Sequence, residues 1–130
     1  MLNRITSLII ATAIAIHRMY GSGLLERAYL ACLCHDLLAA GLRIETEKAL
    51  PLVHRGMALG CVYRADLIVE GVVLVEVKAV EAIAPVHTRQ LGTYLKLADC
   101  RLGLLLNFGA ATMQEAERAV PSSRCRSDSR

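Results

Sequence analysis

An α/β fold follows from three features of the 130-residue sequence: two helical stretches at the start, a switch to strand-like alternation at Leu42, and a further helix set between two short apolar strands. One domain is expected, spanning residues 1–118, because a chain of this length supports a single buried core and falls short of two. Ile5 to Met19 reads as the first helix, with Ile5, Leu8, Ile9, Ala13 and Ile16 on one face. Gly21-Ser22-Gly23 breaks it, since glycine permits backbone angles that other residues resist. A second helix runs from about Leu24 to Ala40, and Gly41 is its natural stop.

Leu42-Arg43-Ile44-Glu45-Thr46-Glu47 alternates apolar and polar groups, which marks a strand that Pro51-Leu52-Val53 continues. His54-Arg55-Gly56 turns into a second strand through Val62 to Val69, and Gly71 marks the turn into a third, Val72 to Lys78. The run Val72-Val73-Leu74-Val75 is apolar on both faces and belongs in the middle of a sheet. A helix from Pro85 to Ala98, with proline in its first turn, leads to a short buried strand, Leu102 to Phe108. Thr112 with Glu115 three residues on matches a capping box and predicts a brief last helix. The tail, residues 119–130, is rich in Ser and Arg, has no apolar face to bury, and is expected to be disordered.

Composition narrows the function classes. Hydrophobic residues are 55% of the chain against 21% charged, an excess that a second copy in a homo-oligomer would cover. Aromatics are 4% and Trp is absent, so a stacking platform for single-stranded bases is poorly supplied. The formal charge of +3 comes largely from the tail, and setting aside Arg124, Arg126, Arg130 and Asp128 leaves 12 basic residues against 11 acidic. A nearly neutral body lacks the basic footprint of strong duplex binding. Five cysteines without a C-x-x-C pair suggest neither a disulfide framework nor a zinc knuckle, and reduced thiols in a cytoplasmic protein are the plain reading. The apolar stretch Ile5 to Ile16 is too short to span a bilayer, so no membrane is expected.

The segment that carries chemistry is Arg64-Ala65-Asp66 through Glu76-Val77-Lys78. Glu76 and Lys78 lie two apart on one strand and project from one face. If Asp66 sits opposite Glu76, the connection contains an odd number of residues, such as Glu70-Gly71-Val72, and both carboxylates share a face. A two-residue turn at Glu70-Gly71 would pair Asp66 with Val75 and separate the acids. Two facing carboxylates repel each other, so a positive group belongs between them. Lys78 supplies part of that charge, and a hard divalent cation such as Mg2+ (or Mn2+) suits the oxygen-only set. A salt bridge between Lys78 and one acid is the plainer alternative, and the hairpin alone does not separate the two.

Gly23-Leu24-Leu25-Glu26-Arg27-Ala28-Tyr29 spells G-x-x-E-x-x-Y, and here the sequence closely resembles the GxxExxY proteins of the PD-(D/E)XK nuclease-like superfamily. The likeness continues in Ile16-His17-Arg18, Tyr63-Arg64-Ala65-Asp66-Leu67, Glu76-Val77-Lys78-Ala79-Val80, Pro85-Val86-His87 with Gln90-Leu91 and Tyr94-Leu95, and Leu104-Leu105-Leu106-Asn107-Phe108-Gly109. The resemblance implies a restriction-endonuclease-like core, with a central mixed sheet of about four strands flanked by helices. It implies a metal held by Asp66, Glu76, the carbonyl of Val77 and Glu26, with Lys78 beside the attacking water and Gln90 on the following helix. Nucleic acid, DNA or RNA, is the implied partner and phosphodiester hydrolysis the implied reaction. A non-catalytic module docking on nucleic acid or protein is the alternative on the same fold, and a chiefly structural homo-oligomer is a third.

The neighbouring residues each carry two readings. Tyr29 and Tyr94 are candidate substrate contacts, and equally core residues whose hydroxyls find a hydrogen bond. Glu26 near a helix start also suits the helix dipole. His87 is placed either to reach a phosphate or to decorate a first turn, and Arg64 either to hold a phosphate or to neutralise an acid. His17 reads as a brace for the helix break, and His35 and His54 as surface residues.

Overall fold

The computed structural model describes residues 1–113 and 116–120. Helices α1 (Leu2–Tyr20) and α2 (Glu26–Ala39) precede strands β1 (Ile44–His54), β2 (Met57–Val69) and β3 (Val73–Lys78). Helix α3 (Pro85–Ala98) then leads to β4 (Leu102–Asn107) and β5 (Glu117–Ala119). The five strands form one mixed sheet in the order β1-β2-β3-β4-β5. Among the described residues only β3 and β4 run parallel, joined through α3 as parallel neighbours require.

Each helix offers the sheet a stripe set by its apolar spacing. On α1 the buried apolar residues are Ile5, Ile9, Ala13 and Ile16, and on α2 they are Tyr29, Leu33 and Leu37. These pack with Val73, Val75 and Val77 of β3 and Leu102, Leu104 and Leu106 of β4. The opposite face of the sheet meets α3, where Leu74 and Leu105 pack with Leu91 and Leu95. Burial on both faces explains why β3 opens with the apolar run Val73-Leu74-Val75 and takes the middle place. Gly103 keeps α3 close to β4, because a Cβ there would lie 3.0 Å from a methyl carbon of Leu91.

Helix α2 ends in a Schellman motif. The Leu42 N–H donates to Leu37 O and the Gly41 N–H to Leu38 O, with Gly41 at φ 88°. The β1–β2 turn has both central residues left-handed, Arg55 at φ 51° and Gly56 at φ 79°, the arrangement that matches strand twist in two-residue hairpins.

One element differs from expectation. A last helix is predicted after Thr112, whereas Glu117–Ala119 pairs antiparallel with Gly103 to Leu105 as a fifth strand. The open edge of β4 offers unpaired peptide groups, and that pairing outweighs a short helix with a weak apolar face. Glu115, half of the proposed capping box, and the tail from residue 121 lie outside the described residues. No helix among the described residues is long and apolar enough to cross a membrane.

Candidate active site between strands β2 and β3

The β2–β3 ladder pairs Val69 with Val73, Ile68 with Leu74 and Leu67 with Val75, the register that sets Asp66 against Glu76. The turn reaches it indirectly. Glu70 (φ 54°) and Gly71 (φ 68°) form a tight turn closed by the Val72 N–H on Val69 O, which by itself would pair Val69 with Val72. Val72 instead leaves the β2 ladder, and its carbonyl accepts from the N–H groups of Arg101 and Leu102 at the start of β4. That one-residue bulge adds the third residue to the connection and moves the acids onto each other.

Beyond Leu67 and Val75 the side chains replace the ladder. The Asp66 N–H donates to Glu76 Oε2 at 2.8 Å, and the Val77 N–H donates to Asp66 Oδ2 at 2.9 Å. Each carboxylate thus reaches the other strand, and the two converge between β2 and β3. Their second oxygens, Asp66 Oδ1 and Glu76 Oε1, accept no hydrogen bond among the described residues. No side-chain oxygen there is both buried and unpartnered, so these two keep access to water.

The pair sits in an unfavourable place for two negative charges. Glu76 is only 6% exposed. Burial, then the negative charge of Asp66, pushes its carboxyl up to about 8. Asp66 is also raised, first by burial and then by Glu26 and Glu47, against the Val77 N–H and Lys78, which lower it. Lys78 lowers both acids but forms no ion pair with either among the described residues, so the plain salt bridge is not what holds them. A cation between the two free oxygens would relieve this repulsion, and the donor set fits a hard divalent ion. No group of three or more His, Cys, Asp or Glu side chains among the described residues is arranged to hold a metal. Further ligands would therefore be backbone carbonyl or water, while Glu26, exposed in the first turn of α2, acts on the pair through its charge.

A family model matches residues 3–119, described as the PD-(D/E)XK nuclease superfamily. The chain belongs to the PD-(D/E)XK nuclease superfamily. No curated protein and no solved structure matches it. The mixed sheet with helices on both faces accords with that superfamily's fold.

The structure sorts the remaining candidates of this superfamily member. Tyr29 is corrected: it is 0% exposed and contacts no substrate surface. Its hydroxyl donates to Gly21 O and accepts from the Leu24 N–H at 3.0 Å, and its ring stacks on Phe108 at 4.4 Å. The tyrosine of the G-x-x-E-x-x-Y run therefore ties the α1–α2 loop that presents Glu26. His17 braces the same region, with Nε2 2.9 Å from Ala110 O. Arg64 makes no ion pair with Asp66; its guanidinium donates to Glu47 O at 3.4 Å. His87 Nδ1 accepts from the Ala84 N–H at 3.0 Å and so caps its own helix, while Nε2 has no hydrogen-bond partner among the described residues. Tyr94 lies partly exposed near the acids; burial and then Glu76 and Asp66 raise its hydroxyl, and Tyr63 packs beside it at 6.0 Å. Gln90 is exposed one turn before Tyr94.

Two supports escape sequence reasoning. Asn107, opposite Lys78, accepts through Oδ1 from the N–H groups of Val80 and Gly109, and a Cβ on Gly109 would lie 2.4 Å from the Val80 backbone. Together they fix the chain leaving Lys78. Glu47 is the other, read from alternation as an ordinary polar strand residue, yet it sits at φ 47° within β1 with its carbonyl accepting from Arg64.

Two outcomes follow. Replacing Tyr29 by Phe leaves Gly21 O and the Leu24 N–H without their side-chain partner and should cost about 1–3 kcal/mol in chemical denaturation, with metal affinity little changed. Stability of the metal-free protein should decline as pH rises from about 4.5 to about 8, since across that window the folded chain keeps a proton on Glu76 that the unfolded chain has lost. Thermal melts at stepped pH read this, and Glu76→Gln should flatten the slope. A melting temperature that climbs with pH over the same window would contradict it.

Proposed function

We propose that the chain is a metal-dependent nuclease, hydrolysing phosphodiester bonds in DNA or RNA at Asp66, Glu76 and Lys78. The observation that carries this reading is the convergence of two carboxylates whose free oxygens face water, with a lysine two residues on along the same strand. Mg2+ or Mn2+ would be held by Asp66, Glu76 and the carbonyl of Val77, with Glu26 acting through water. Such an ion supplies charge stabilisation at a phosphodiester oxygen and acidifies water.

The chain's own residues do the rest. Asp66 and Glu76 are fixed by the peptide N–H groups of the opposite strand, so their free oxygens are oriented before any ligand arrives. The Lys78 ammonium stabilises hydroxide character on the attacking water and opposes charge on the phosphate. Tyr94 and Gln90 on α3, together with Nε2 of His87, line the approach of a nucleic-acid backbone. Arg64 serves by holding Glu47 more than by gripping phosphate. The cytoplasm, where Mg2+ is plentiful and thiols stay reduced, suits this activity.

A second reading keeps the fold for binding without turnover. The nearly neutral body and the lack of a third metal-ligating side chain among the described residues favour it.

Cleavage of labelled DNA and RNA with Mg2+ or Mn2+ separates the two. Lys78→Ala and Asp66→Asn should each lower the rate by roughly 100-fold or more. Calorimetric titration of Mn2+ should show binding to the wild type that Glu76→Ala loses. Activity surviving in both active-site variants would assign the cleavage to something else, and nucleic-acid affinity without turnover across metals would favour the binding module.

A further inference from the structure

We infer that Glu47 positions Asp66 through its own left-handed backbone, not through its carboxylate. This inference rests on the proposed role of the Asp66 and Glu76 pair and concerns how that pair is brought together.

Four non-glycine residues among those described have positive φ: Glu47, Arg55, Glu70 and Asp99. Arg55 and Glu70 lie in hairpin turns, and Asp99 caps α3. Glu47, at φ 47°, lies inside a strand where no turn calls for it. From Ile44 to Pro51 the β1–β2 register is constant, and pairing lapses at one position, where Glu47 would meet Asp66.

Both strands change faces across that lapse. On β2, Leu67 packs with α1 and α2, whereas Ala65, two residues earlier, packs with α3. On β1, Ile44 packs on the α1 and α2 side and Leu50, six residues later, on the α3 side. Strict alternation would keep each of these pairs on one face. A left-handed residue turns its peptide and resets the alternation, and irregularities of this kind re-aim a side chain beside an active site. Here the freed residue is Asp66, whose carboxylate swings to the Val77 N–H. Arg64 holds the turned peptide by donating to Glu47 O.

Backbone and carboxylate roles separate by substitution. Gly adopts positive φ without penalty, Gln keeps the length of Glu without its charge, and Val resists positive φ. Two readouts apply to the intact chain: Mn2+ affinity by calorimetry, and the amide resonances of Asp66 and Val77 in the metal-free protein, which hydrogen bonding to a carboxylate moves downfield. Glu47→Gly and Glu47→Gln should retain both signatures. Glu47→Val should lose the downfield amides and weaken Mn2+ binding roughly tenfold or more. Should the valine variant fail to fold, Glu47→Thr, also branched at Cβ but polar, should show the same losses in smaller degree. Wild-type amide shifts and affinity in the valine or threonine variant would overturn the inference. Equal losses in the glycine and glutamine variants would overturn it too, by assigning the role to the carboxylate. If wild type takes no Mn2+ while the amides still respond to valine alone, the metal reading fails and the positioning role stands.

Discussion

At Asp66 and Glu76 the β2–β3 ladder stops pairing peptide with peptide, and each strand instead gives an N–H to the other strand's carboxylate. This exchange fixes two acids face to face in a place where burial and mutual repulsion would otherwise part them, and where both favour a proton on Glu76 over a second negative charge. It also leaves one oxygen of each acid free. A buried pair of carboxylates is costly, and the fold keeps it by satisfying half of its oxygens with backbone donors and leaving the other half open to water.

Much of the remaining structure serves that arrangement. The Val72 bulge supplies the register, captured by the first N–H groups of the Arg101–Leu102 segment, so β4 helps to set the alignment of a hairpin to which it does not belong. Asn107 and Gly109 clamp the chain just past Lys78. Tyr29, stacked on Phe108 and bonded to the α1–α2 loop, holds the start of α2. The residues of the G-x-x-E-x-x-Y run and the β2–β3 hairpin therefore divide into a few that bring charge to the carboxylate pair and more that hold its surroundings, and Tyr29 falls in the second group.

The helices and four longer strands were legible because their apolar spacing matches the stripes they bury, as at Ile5, Ile9, Ala13 and Ile16 or along Val73 to Val77. The pairing of the acids was legible only in part: strand period two ties Glu76 to Lys78, whereas the residues alone allow two hairpin registers, and the Val72 bulge held by Arg101 and Leu102 selects the one that brings Asp66 to Glu76. Strand β5 was not legible, since three residues with mixed polarity carry no periodic signal and pair only because β4 has a free edge. Tyr29 was ambiguous because its spacing from Glu26 suits either a pocket or a core, and Phe108, far along the chain, decides it. Glu47 was hidden because alternation assumes ordinary strand angles, and the positive φ that sets it apart has no compositional mark in a glutamate.

The most direct measurement is a crystal structure of the chain grown or soaked with Mn2+, with the ion located by its anomalous scattering. The account predicts one strong peak between β2 and β3, within about 2.0–2.3 Å of an oxygen from Asp66 and one from Glu76. Carboxylates on opposite faces of the sheet, or a peak only at a site remote from both, would contradict it.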